Sequence, residues 1–199
     1  MPLPIRAFFD LSCPYCYLAW CFVKKLKESI PLADEWVTWE IHPDIPQEGL
    51  KIQDVVKGIN LEERRKKLNA LGEPIGFILG DNDIIPSTRL ALETAEFARE
   101  NHKMHEWIDA VYHANFVEGK NIGDTVVLFE IAKAIGLETD KLGKALDSGC
   151  YSHLLREHDQ ECVQKKIEWV PTIFSGEEKV IEGAFTFKAF EEVIRAHIL

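Results

Sequence analysis

The amino-acid sequence predicts an α/β protein in which an all-helical insertion separates a strand–helix–strand (βαβ) half from a strand–strand–helix (ββα) half. Three observations carry that expectation. A short apolar run ending in Phe8 and Phe9 is followed at once by a helix that opens on a proline. From about residue 51 to 168 the pattern is helical, with almost no strand signal. Two short apolar runs then follow, joined by a turn and closed by an amphipathic helix.

Taken in order, Leu3 to Asp10 reads as a buried strand, and residues 11 to 13 break it. Pro14 starts a helix through Lys27, at the position where a missing N–H costs nothing because that group would be unpaired anyway. Trp36 to His42 alternates apolar and polar residues and predicts a second strand, closed by Pro43 and Pro46. In the central block Met104, Trp107, Ile108, Val111 and Tyr112 recur at helical spacing, as do Leu128, Ile131, Ala132 and Ile135. Ala91, Ala95 and Ala98 put small residues on one helix face; Asp124 and Thr139 are expected N-caps, and Gly136 and Gly149 helix stops. Val170 to Phe174 and Lys179 to Glu182 predict two strands around a turn at Ser175 to Glu178, and a helix from Thr186 to the C-terminus buries Phe187, Phe190, Val193 and Ile194. The expected division is residues 1–50 with 165–199 as one domain and 51–164 as the helical insertion.

Charge narrows the function classes. The 199 residues carry a formal net charge of −10, which repels a phosphate backbone and argues against a nucleic-acid partner. Arg64-Arg65-Lys66-Lys67 is the one basic run, and behind Glu62 and Glu63 it reads as a solvated helix face. No apolar run approaches the roughly 18 residues that span a bilayer, and the N-terminus lacks the features of a secretory signal, so a cytoplasmic protein without a membrane partner is expected. The composition is compatible with a homodimer.

The chemistry centres on Cys13-Pro14-Tyr15-Cys16. Two cysteines at i and i+3 of a helix start with Cβ atoms about 5–6 Å apart, so a disulfide between them opens and closes with little backbone movement. The first stands where unpaired backbone N–H groups and the positive end of the helix dipole favour an anion; Cys13 is therefore the expected nucleophile. Cys16, one turn further in, is the expected resolving thiol, and Pro14 and Tyr15 between them are expected to face the substrate. Half of a zinc site is the structural rival, but the sequence has no second Cys-x-x-Cys or well-spaced histidine pair. No metal or organic cofactor is expected beyond the redox disulfide itself. Asp10 either tunes the thiolate and takes a proton or caps the helix. His42 either assists proton transfer or is a packed, hydrogen-bonded histidine.

Phe9-Asp10-Leu11-Ser12-Cys13-Pro14-Tyr15-Cys16-Tyr17 resembles the active-site segment of DsbA-like thioredoxin-fold oxidoreductases, in particular the cytoplasmic FrnE-like group. The likeness extends to Glu40-Ile41-His42-Pro43-Asp44-Ile45-Pro46, to Ser87-Thr88-Arg89 and to Phe116-Val117-Glu118-Gly119-Lys120-Asn121-Ile122. It implies a thioredoxin-like fold, a cis proline at Pro171 beside the Cys pair with Val170 presenting its backbone to substrate, and Ser87 and Thr88 beside the cleft, where a plain helix cap is the alternative. Lys166 and Trp169 stand where relatives often carry glycine. Kappa-class glutathione transferases and 2-hydroxychromene-2-carboxylate isomerases are related but typically have serine where Cys13 stands and lack the second cysteine.

The expected function is thiol–disulfide exchange with protein or small-thiol partners, glutathione among them as substrate or reductant. Glutathione-dependent transferase or isomerase action, and a non-catalytic peptide- or metal-binding module, are the other readings. Cys21, Cys150 and Cys162 are expected to be structural thiols; a Cys150–Cys162 disulfide and a metal site at His158 and Cys162 are the sharper alternatives.

Overall fold

The computed structural model describes residues 1–183 and 185–198. The first half-unit is strand β1 (Leu3–Phe9), helix α1 (Pro14–Leu26) and strand β2 (Leu32–Thr38). A block of short elements follows: β3 (Leu50–Lys51), α2 (Ile52–Val55), α3 (Leu61–Gly72) and β4 (Ile84–Ile85). Helices α4 (Arg89–Glu100), α5 (Met104–Phe116), α6 (Thr125–Ala134), α7 (Thr139–Ser148) and α8 (Ser152–Gln164) come next. Strands β5 (Thr172–Ser175) and β6 (Glu178–Glu182) and helix α9 (Phe187–Ala196) close the chain. The expected run of this last helix to the C-terminus stops at Ala196, and Leu199 lies outside the described residues.

The main sheet has the order β2-β1-β5-β6, with β1 parallel to β2 and antiparallel to β5. A parallel pair needs a crossover, which α1 supplies. As an inner strand, β1 is apolar on both sides, and its alternation sorts side chains into two clusters. Phe9 points toward α1 and α5, where its ring meets Trp36 and Tyr112 edge-on at 5.5 and 6.4 Å between centroids. Phe8 points to the opposite face and packs with Val37, Cys162, Ile167 and Phe174. On the first face one continuous apolar cluster runs from Leu18 and Trp20 in α1 through Leu92 and Trp107 to Ile131 and Leu142. The small residues Ala91, Ala95 and Ala98 are fully buried, and the indole of Trp107 donates to the Ala91 carbonyl at 3.0 Å.

Three expectations are corrected. The second strand lies four residues earlier than Trp36 to His42: its register runs from Leu3↔Leu32 to Phe9↔Thr38, so β1 sets its limits. Leu50–Lys51 pairs antiparallel with Ile84–Ile85 inside the stretch read as purely helical. Thr139 is not an N-cap; Glu138 holds that position without a side-chain bond, whereas Asp124 does cap α6 through the Val126 N–H.

Candidate functional site

The segment joining β1 to α1 is held from three sides. The Asp10 carboxylate, fully buried, accepts from the Ser12 N–H at 2.6 Å and the Ser12 hydroxyl at 2.8 Å through one oxygen. Its other oxygen accepts from the Ile41 N–H at 2.8 Å and the Thr88 hydroxyl at 3.2 Å. From α5, the Tyr112 hydroxyl donates to the Asp10 carbonyl and the Asn115 amide to the Leu11 carbonyl, at 3.2 and 3.1 Å. These bonds fix the turn in which the Cys13 N–H meets the Asp10 carbonyl at 3.2 Å.

Cys13 occupies the N-cap position of α1 with extended backbone, so its side chain stands over the first helical turn. Its Sγ accepts the Cys16 N–H at 3.3 Å and, as a thiol, donates to the Val170 carbonyl at 3.6 Å. The cap of the helix is thus Cys13, which corrects the capping reading of Asp10. Both cysteines are free thiols, but they differ in access: Cys13 is 6% exposed and Cys16 is 0%. Burial pushes the Cys16 thiol well up, helped by its hydrogen bond to Cys13 and by the charge Cys13 carries when ionised. Burial also raises Asp10, against the bonds from Ser12 and Ile41 that favour its charged form.

The Val170–Pro171 peptide bond is cis. The Thr172 hydroxyl donates to the Trp169 carbonyl at 2.5 Å, and Trp169 itself is 68% exposed at the cleft edge. Lys166 adopts φ +53°, the left-handed region that glycine favours.

A cleft of about 780 Å³ opens beside the thiols. Ser12, Cys13, Pro14 and Tyr15 form one side, and residues 39–43, including His42, continue it. Residues of α2, α3 and β4, together with the segment 168–170, complete the lining. Arg64 faces this cleft, which corrects its reading as part of a solvated face: Leu61, Arg64 and Leu68 share one stripe of α3. Glu62 and Lys66, on the solvent side, form an i,i+4 pair at 2.6 Å.

The fold brings Cys13, Cys16, Pro14, Tyr15, Asp10, Thr88, Val170 and Pro171 together around the start of α1. Ser87 is not part of the cleft lining. Thr88 holds the N-cap position of α4 but makes no capping bond; its hydroxyl is spent on Asp10. Sequence reasoning missed Arg64, Tyr112 and Asn115. Tyr112 lay on a stripe read as core, and nothing in the sequence marks the Asn115 amide as a loop anchor. Cys162 is buried, Cys21 half-buried and Cys150 exposed, so Cys150 departs from the expected buried thiol and is not bonded to Cys162. The His158 ring meets the Thr38 hydroxyl at 2.9 Å.

Residues 4–195 match the DSBA-like thioredoxin domain. The chain belongs to this family. A curated relative of this DsbA-like chain, the uncharacterized protein YwbO of Bacillus subtilis strain 168, is 27% identical over 197 residues, 98% of this chain and 96% of YwbO. The crystal structure of the probable DsbA oxidoreductase SCO1869 from Streptomyces coelicolor superposes with a TM-score of 0.86 at 19% identity, covering 98% of this chain and 89% of that one. A 2-hydroxychromene-2-carboxylate isomerase superposes at 0.74 with 18% identity, over 97% and 93% of the two chains. A probable DsbA oxidoreductase and an isomerase thus share the fold, and the fold alone does not set the reaction.

Proposed function

We propose that this DsbA-like protein is a thiol–disulfide oxidoreductase acting through Cys13 and Cys16 on protein or small-thiol substrates. The observation that carries the reading is the inequality of the two sulfurs: Cys13 reaches the cleft and accepts the Cys16 N–H, while Cys16 is sealed beneath it and held as a thiol. Cys13, as thiolate, attacks one sulfur of a substrate disulfide, forming a mixed disulfide and expelling the other sulfur as a thiolate that takes a proton from water. Cys16 then loses its proton, attacks the Cys13 sulfur and expels the second substrate thiolate. The two protein thiols have been oxidised and the substrate disulfide reduced, a two-electron exchange that runs backward for an oxidase. Asp10 is proposed to receive the Cys16 proton, Val170 to present its carbonyl to substrate beside Pro171, and Pro14, Tyr15 and His42 to border the bound chain.

Glutathione fits as substrate or as the reductant that restores the dithiol. A reducing compartment such as the cytoplasm suits a chain with an odd number of cysteines, five, one of which, Cys150, is exposed.

The test is the Cys16→Ser variant mixed with a small disulfide. It is expected to halt at a stable mixed disulfide on Cys13, seen as an adduct mass, with turnover down about 100-fold or more. A glutathione-dependent isomerase needs no second thiol, so undiminished turnover by Cys16→Ser would overturn the redox reading. Cys13→Ser is expected to form no adduct.

A further inference from the structure

Arg64 sits in the cleft wall under conditions that do not suit a structural cation. Its Nε is buried, and among the described residues it has no hydrogen-bond partner. Its neighbours in sequence are satisfied: Arg65 pairs with Asp81 and Lys66 with Glu62, both at 2.6 Å. Burying a guanidinium N–H without an acceptor costs free energy that a bound anion can return.

The other charges bordering the cleft are mostly committed. Glu40 pairs with Arg89, Asp81 with Arg65, and Asp159 accepts from the Trp39 indole at 3.1 Å. Arg64, Asp159 and Glu168 are the lining charges without an ion-pair partner among the described residues, and Arg64 is the cation among them. Arg64 and Cys13 line the same cleft. Burial lowers the Arg64 pKa, while the Tyr15 and Cys13 side chains, when ionised, act in the opposite direction. An anion held by Arg64 would therefore lie within electrostatic reach of the reacting sulfur.

We propose that Arg64 is a specificity-determining residue that binds a carboxylate carried by the disulfide substrate, so that the cleft selects small, carboxylate-bearing disulfides. The cleft volume of about 780 Å³ falls within the 300–1,000 Å³ typical of small-molecule sites. Ile52, Ile59, Leu61 and Ile85 supply apolar walls for the carbon chain of such a molecule. The guanidinium fork matches a carboxylate in a way an ammonium does not. The inference rests on the disulfide-exchange reading and adds the substrate class to it.

The whole-protein field predicts the opposite preference, which makes the test sharp. At a net charge of −10 a cationic disulfide should react faster than an anionic one unless a local cation reverses the order. Pre-reduced protein is mixed with 3,3′-dithiodipropionate, bis(2-hydroxyethyl) disulfide or cystamine, which carry two negative, no and two positive charges. Second-order rate constants for the first exchange are read by acid quench and mass spectrometry. The expected order is anionic, then neutral, then cationic. In Arg64→Gln the anionic-to-neutral rate ratio is expected to fall about tenfold or more, the scale of a lost charge-assisted hydrogen bond. Arg64→Lys, which keeps the charge and loses the fork, is expected to retain part of the ratio, and Lys66→Gln, on the solvent side of the same helix, to change it less than about threefold. No exchange with any of the three disulfides overturns the redox reading itself. Exchange without an anionic preference in the unsubstituted protein, or a ratio unmoved by Arg64→Gln, overturns the Arg64 proposal and leaves the redox reading standing. Because the charge order is measured first on the unsubstituted protein, misfolding of a variant cannot shelter the proposal.

Discussion

Asp10 shows how burial turns a loop carboxylate into a candidate proton acceptor. Four donors converge on it, yet desolvation still raises its pKa, so the carboxyl changes charge nearer neutrality than a solvated aspartate does. Asp10→Asn removes the proposed base while keeping one acceptor oxygen. Resolution of the mixed disulfide by Cys16 is expected to slow about tenfold or more, toward the 10²–10⁴ range of general base catalysis, with the first exchange at Cys13 less affected. The decisive readout is the pH profile: the resolving rate rises with pH through the Asp10 ionisation in the parent and loses that step in the variant. A merely structural role would slow both steps and keep the profile. Stability gives a second sign. A folded pKa above the unfolded one means the native state binds the proton more tightly, so this group's contribution falls as pH rises through the window between the two values; Asp10→Asn lacks that dependence. At this scale the sequence marks the Cys13–Cys16 motif plainly, because strand, turn, proline and cysteine spacing are all local. Arg64 was hidden inside a basic run whose composition spoke for solvent, and only its place on the Leu61–Leu68 stripe spoke for burial.

At the scale of elements, helix limits were legible where a side chain closes them and illegible where tertiary pairing does. Asp124 precedes a clear apolar stripe and accepts the Val126 N–H at 2.9 Å; Thr139 precedes an equally clear one, but the chain enters α7 a residue earlier at Glu138. Asp124→Ala is therefore expected to cost about 1 kcal/mol. Thr139→Ala is expected to stay within about 0.5 kcal/mol, as for surface positions without a special role. Chemical denaturation of both variants separates them, and equal losses would mean that α7 is capped by Thr139 after all. Strand β2 was misplaced for a different reason. Leu32-Ala33-Asp34-Glu35 has no alternation, so nothing local marks it as a strand; its pairing with the whole of β1 does. The two-residue β3–β4 pair is too short for any periodic signal, yet it carries Ile85 to the cleft wall.

Across the whole molecule, Asp34 ties the first half-unit to the helical block. Its carboxylate receives Lys27 from the end of α1 at 2.5 Å, the Trp36 indole at 2.8 Å and His105 of α5 at 3.1 Å, with its own side chain only 3% exposed. Burial alone would raise its pKa, but the bonds from His105, Lys27 and Trp36 outweigh that and hold it well below the usual carboxylate range. A depressed folded pKa gives stabilisation that is complete above the unfolded value of about 3.9 and is lost as pH falls through the folded one. Asp34→Asn is therefore expected to lower stability at pH 6 by about 1 kcal/mol or somewhat more, a figure kept small because Lys27 and His105 are partly exposed. For a chain of this size that corresponds to roughly 2–4 °C in Tm. The gap to the parent is expected to narrow by pH 3, where the parent begins to lose the same interaction, and a gap that stayed constant from pH 6 to pH 3 would show that the lost packing, not the charge, accounts for the change. The tie lies between residues 34 and 105, far apart in sequence, on a strand without a local signature and a helix read only as core. Long-range polar couplings of this kind leave no periodic trace, because they depend on which faces the sheet and the helices turn toward one another.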